Sequence, residues 1–113
     1  MDKLIIRGGN LLEGSLLVSG SKNTALPLMA AALLTDGPVT ISNIPALRDI
    51  STFSRVIEVT GTSVVGAKDG HELTIDASSF DRAEAPYELV KRMRASFYML
   101  GALLGRVGQA RVS

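Results

Sequence analysis

No cysteine occurs among the 113 residues, so neither a disulfide framework nor a Cys/His zinc site can be built from them. An excess of one charge is missing too. Twelve basic side chains stand against 11 acidic ones, for a net charge of +1, and the two signs are interspersed along the chain. That balance offers no nucleic-acid surface. Long hydrophobic runs are also absent. The longest, ASFYMLGALLG, is bracketed by Arg94 and Arg106. It is about half of what a bilayer crossing needs and reads as a buried helix, with no membrane partner expected. The opening MDKLIIRGGN has a short apolar run that ends at Arg7, unlike a secretory leader. A soluble, cytoplasmic protein is the expectation. Neither a G-x-G-x-x-G motif nor a P-loop occurs, and no Ser/His/Asp arrangement is identifiable. The single histidine, His71, stands beside Glu72 without a partner at metal or catalytic spacing, so a surface histidine and no metal site are expected.

What is present is an ordinary globular composition, 46% apolar and 20% charged, which excludes general disorder. The length suits one compact domain but is small for a two-substrate enzyme. Short apolar runs at residues 3–7 and 15–19, flanked by glycines, predict two strands joined by a turn. Thr24 can cap a helix reaching about Leu34, which would place Pro27 at its third position, with Gly37 as a left-handed stop. VTISNIP predicts a strand. A second helix, capped by Asp49 or Ser51, would align Ile50, Phe53, Val56, Ile57 and Thr60 on one face and end at Gly61. TSVVGAK and HELTIDA around Asp69-Gly70 predict a hairpin. Beyond a polar linker, DRAEAPYE, a third helix is expected from about Leu89 to Leu104. The final GQARVS alternates like a strand just begun, so the chain is expected to be a fragment.

The first and third helices are apolar nearly all round, which fits helices buried on most faces. Their small residues, Ala30 to Ala32, Gly101 and Gly105, would let neighbouring backbones approach closely. The resulting expectation is an α/β (α+β) fold whose helices sit inside a layer of sheets, inverting the usual plan in which helices coat a central sheet.

Chemistry concentrates at two helix starts. Lys22 stands where the first helix begins, and the unpaired N–H groups and positive dipole end of a helix favour an anion there. Ser21, Asn23 and Thr24 add short donors. The residues alone leave two readings open, a phosphate or carboxylate site and a solvated turn lysine. Lys91, Arg92 and Arg94 stand at the start of the third helix, and arginine forks suit diphosphate oxygens. A helix-end salt bridge from Arg94 to Glu88 or Glu84 is the competing reading. Arg48 and Asp49 lie where the third strand passes into the second helix and read as a cap with a surface charge.

GSKNTALPLMAAALLTDGPVTISNIPALRDI together with APYELVKRMRASFYMLGALLGRVGQARVS resembles the start of the enolpyruvate transferase family, in its UDP-sugar branch. The similarity runs from residue 1 to residue 113, and its two motifs, S-G-S-K-N and Y-E-L-V-x-x-M-R-A-S, are long and specific. The shikimate branch of the same family is similar around the lysine but typically carries serine directly after it. Asn23 therefore favours the UDP-sugar branch.

The resemblance implies transfer of the enolpyruvyl group of phosphoenolpyruvate to the 3-hydroxyl of UDP-N-acetylglucosamine with release of phosphate, the first committed step of peptidoglycan synthesis. It implies no organic cofactor and no metal. It implies an inside-out repeat fold of two lobes, incomplete here, in which residues 1–21 belong to the C-terminal lobe and residues 22–113 are the first part of the N-terminal lobe. Lys22 and Asn23 would bind phosphoenolpyruvate at the hinge and Arg94 the UDP-sugar. Arg48 and Asp49 are further candidates, Arg48 standing where some relatives have lysine. The family's proton donor is a cysteine on a mobile G-G-C loop, the target of fosfomycin, expected beyond Ser113. No catalytic residue is therefore expected within these 113 residues, which alone would be inactive. The alternatives are a truncated paralogue acting as a non-catalytic anion-binding module and a shikimate-pathway transferase.

Overall fold

The computed structural model describes residues 1–66, 69–91, 93–94 and 97–112. Helix α1 spans Lys22–Ala31 and tightens into a 3-10 turn over Ala32–Leu34. The helix therefore starts three residues earlier than Thr24 allows, with Ser21 as its N-cap. Pro27 is its sixth residue, not its third, and leaves the Asn23 carbonyl without its i+4 donor. The stop also differs from expectation. Gly37 does not adopt positive φ; Thr35 turns extended, and its hydroxyl donates to the carbonyls of Ala32 (3.0 Å) and Gly37 (3.1 Å).

Strand β1 (Pro38–Ser42) leads to α2 (Arg48–Glu58), whose N-cap is Leu47 and not Asp49 or Ser51. Ile50, Phe53, Val56 and Ile57 are buried on one face as the spacing required, and Thr60 is buried below them. Burying a side chain such as Phe53 is worth roughly 1.5–3 kcal/mol, so this stripe drives the docking of α2. Gly61 ends the turn at φ +85°, with no space for a side chain: a Cβ there would lie 2.6 Å from the Ser79 carbonyl oxygen.

Strands β2 (Ser63–Gly66) and β3 (Glu72–Asp76) form the expected hairpin, with Val64 opposite Ile75. The three strands assemble as an antiparallel sheet in the order β1-β3-β2. Alternation puts Val39, Ile41, Val64, Leu73 and Ile75 on the face toward the core, while Thr40 and Thr74 pair their hydroxyls at 3.0 Å on the other face.

The supposed linker contains a strand. β4 (Glu84–Ala85) pairs in parallel with β5 (Arg111–Val112), the strand that GQARVS announced. Among the described residues between them stand two α-helices in place of one, α3 (Tyr87–Val90) and α4 (Phe97–Val107), with Met93 non-helical between them. Met29 and Leu33 from the first helical segment meet Met99 and Leu103 of α4 in the same core as α2 and the sheet. Gly105 serves the close packing expected of it, since a Cβ there would sit 3.0 Å from Leu34; Gly101 faces open space.

Helices α1 and α4 are each buried along one side only within these residues. Leu28, Leu34, Phe97, Leu104 and Val107 remain exposed. The first 19 residues form no strand, against expectation, and Leu4, Ile5, Ile6, Leu16, Leu17 and Val18 are 73–96% exposed. A two-stranded ribbon with no further strand or core to pack on is marginal in water, and the sheet described here does not reach this arm. No helix among the described residues is long and apolar enough to cross a membrane.

Candidate functional site

The cleft of interest forms where the first turns of α1 and α2 meet the segment leading into α4. Its walls are Lys22, Asn23 and Leu26 of α1, Asp49 of α2, and Met93, Arg94, Phe97 and Tyr98. Its volume, 490 Å³, is the size of a small-molecule site. Four of the five residues singled out from sequence, Lys22, Asn23, Asp49 and Arg94, therefore share one concavity although 72 positions separate Lys22 from Arg94.

Backbone geometry prepares this position. Ser21 is extended, and its carbonyl accepts the N–H groups of Thr24 (3.2 Å) and Ala25 (2.9 Å). The N–H groups of Lys22 and Asn23 therefore lie ahead of the hydrogen-bond ladder, and the Ser21 side chain does not cap them. No acid stands in the first turn of α1, so the positive dipole end and the Lys22 ammonium reinforce one another. Gly20 makes this start possible. A Cβ there would lie 1.6 Å from the Asn43 carbonyl oxygen, so only glycine lets the chain pass residue 43, itself held at φ +54°.

Lys22 Nζ lies 2.7 Å from Asp49 Oδ2, and the two side chains are 42% and 47% exposed. Asp49 is the acid of the first turn of α2, where the dipole favours it. Arg94 has a different situation. Glu88 is taken by Lys91, at 2.5 Å, and the Lys91 ammonium also lies 5.2 Å from the centre of the Tyr87 ring. Among the described residues Arg94 has no carboxylate partner, so the helix-end salt bridge to Glu88 or Glu84 is not formed. Arg92 lies outside the described residues. The cleft is thus lined by two cations, one carboxylate and one amide together with Leu26, Met93 and two aromatic rings.

Arg48 is placed elsewhere. It lines a neighbouring depression with Ser51, Thr52, Arg55, Leu89 and Met93 that adjoins the cleft through Asp49 and Met93. His71 is at the surface as expected, its Nδ1 lying 2.9 Å from the Ile44 carbonyl. Among the described residues no three His, Asp or Glu side chains gather as a metal site would require.

Two features escaped the sequence reading. Phe97 and Tyr98, 74% and 43% exposed, supply the aromatic side of the cleft. Their signal was large rings placed directly after a basic cluster, at the exposed start of an apolar helix. Arg106 is the other. Its guanidinium donates to the carbonyls of Leu33 (2.6 Å), Thr35 (2.7 Å) and Ala77 (3.1 Å) and to Asp36 Oδ1 (2.7 Å), and it lies 4.7 Å from the Phe80 ring centre. It satisfies carbonyls left open where the first helix unwinds, so its role is structural.

The family described as EPSP synthase (3-phosphoshikimate 1-carboxyvinyltransferase) matches residues 6–113. Over all of this chain, the UDP-N-acetylglucosamine 1-carboxyvinyltransferase of Desulfatibacillum aliphaticivorans is 53% identical and that of Halorhodospira halophila 49%. The chain spans 27% of the length of each. Among solved structures, the enolpyruvyl transferase NikO from Streptomyces tendae superposes with a TM-score of 0.74 at 36% identity, covering 91% of this chain and 24% of that one.

Proposed function

The chain belongs to the EPSP synthase family, and from that premise we propose that its protein transfers the enolpyruvyl group of phosphoenolpyruvate to the 3-hydroxyl of UDP-N-acetylglucosamine, releasing phosphate in the cytoplasmic opening step of peptidoglycan synthesis. The observation that carries this reading is the convergence of Lys22, Asn23 and Arg94 in one cleft, combined with whole-chain identity of about one half to relatives of that name. Both substrates are polyanions, and negative charge moves onto the departing phosphate. Cations fixed beforehand around that position stabilise the transition state more than the ground state.

In this reading Lys22 and Asn23 hold phosphoenolpyruvate: the ammonium and the open N–H groups of α1 meet its phosphate, and the Asn23 amide orients it. Arg94 holds the UDP-sugar in the same cleft, beside the rings of Phe97 and Tyr98. Residues 1–21 belong to a second lobe and residues 22–113 to the first part of the N-terminal lobe. The exposed apolar arm before Gly20 and the uncovered sides of α1 and α4 support that division. The proton donor is a cysteine outside these residues, which contain none, so the 113 residues alone release no phosphate.

The family's name favours a second reading, with shikimate 3-phosphate as acceptor. Asn23 and the names of the relatives argue against it. The test offers each acceptor with phosphoenolpyruvate to the full-length protein and follows phosphate. Release with UDP-N-acetylglucosamine alone is expected; release with shikimate 3-phosphate alone overturns the proposal.

A further inference from the structure

We infer that Asp49 is a displaceable internal counter-ion of Lys22: its carboxylate pairs with the ammonium within the cleft and yields it to an incoming phosphate. The inference rests on the reading of Lys22 as the phosphate ligand and adds a role for a residue that touches the substrate only through that lysine.

The geometry carries it. The Lys22–Asp49 contact of 2.7 Å crosses from the first turn of one helix to the first turn of another, 27 positions away, inside the cleft lined by both. Lys22 sits at the end of α1 where its own helix dipole repels it, so its ammonium is held over the cleft by a partner on α2. The pair is nearly half exposed, and water and salt weaken such pairs to a small fraction of their contact energy. A pair this weak positions a long side chain without trapping it. A phosphate group carries more charge than a carboxylate and has further oxygens for the open N–H groups of Lys22 and Asn23, which make no hydrogen bond to Asp49 among the described residues. Arg94 supplies a second cation to the same cleft, so the exchange moves Lys22 toward a more strongly bound anion. When product phosphate leaves, Asp49 takes the ammonium back and lowers the affinity that would otherwise hold the product. Asp49 is thus a positioning residue whose cost in ground-state binding speeds release.

The test measures binding of inorganic phosphate and steady-state kinetics on the full-length protein. Asp49→Asn should tighten phosphate about two- to fivefold, the range expected for removing a screened, half-exposed competitor. It should lower KM for phosphoenolpyruvate in parallel without raising kcat. Asp49→Glu, which restores the charge, should return both towards the parent, and it keeps the test open if the amide variant folds poorly. In a Lys22→Met background, Asp49→Asn should change nothing further. Unchanged or weaker phosphate binding in Asp49→Asn, or an equal gain with and without Lys22, overturns the counter-ion role. Phosphate binding that survives Lys22→Met overturns instead the assignment of Lys22 itself.

Discussion

The two ends of helix α4 use arginine in opposite ways. Ahead of its first turn, Arg94 is exposed, has no carboxylate partner among the described residues and faces a cleft. In its last turn, Arg106 has a side chain only 13% exposed and makes four hydrogen bonds to the chain around it. The same guanidinium faces a cleft at one end and is a structural tie at the other. What decides is whether the fold has already filled its donors: a satisfied, buried arginine has nothing left to offer a substrate, while an unsatisfied one beside apolar walls is held ready for an anion.

That contrast can be broken by substitution. The largest effect is expected from Arg106→Met, which strands three carbonyls and removes the stack on Phe80. Full-length protein should lose about 2–4 kcal/mol, read as a lowered midpoint in denaturant, while its KM values stay put at a temperature where it is folded. Next comes Gly20→Ala, whose methyl must displace the Asn43 backbone. About 1–3 kcal/mol is expected, and here both stability and phosphoenolpyruvate KM should suffer because the start of α1 shifts. Arg94→Met should do the converse of Arg106→Met. KM for UDP-N-acetylglucosamine should rise about tenfold, equivalent to ~1.4 kcal/mol, with the thermal midpoint unmoved. A lowered midpoint without a KM change would erase the distinction between the two arginines.

The smallest effect concerns Asp76, next to the Ala77 carbonyl that Arg106 binds. The Ser78 N–H, donating at 3.0 Å, and the Ser78 side chain hold the Asp76 carboxyl below its ordinary pKa of 3.8. A depressed folded pKa gives stability above pH 3.8 that is lost as pH falls through the folded value. Asp76→Asn should therefore lower stability slightly at neutral pH, leave low pH nearly unchanged, and so flatten the acid limb of the stability profile. An acid limb identical to the parent's would show that this bond contributes nothing.

Periodicity made much of the fold legible. The α2 stripe, the β2–β3 hairpin and the final strand followed from apolar spacing and from Gly61 and Asp69-Gly70, because those signals act over a few residues. The failures share a cause as well. Thr24 looked like the cap of the first helix, but the start of α1 is set by Gly20 crossing the Asn43 backbone, a contact between distant segments. A single helix over 89–104 looked continuous because its composition is; in the fold, Lys91 bends back to Glu88 and Tyr87, and Met93 is non-helical. The DRAEAPYE segment became a strand only because Arg111–Val112 lies alongside it. The arm at residues 3–19 had strand composition and no ladder partner, and a strand is defined by its partner.

The candidate site divided in the same way. Sequence alone marked Lys22, Asn23, Asp49 and Arg94 as residues of the right chemistry at helix starts, because capping positions and basic clusters are local patterns. It also determined the family, since motifs such as S-G-S-K-N and Y-E-L-V-x-x-M-R-A-S are long and specific. Only the tertiary structure brought those four residues to one cleft, moved Arg48 to its neighbour, joined Lys22 to Asp49 and turned Arg106 inward. Those outcomes depend on which distant backbone or side chain satisfies each charge, and no local stretch of residues holds that information.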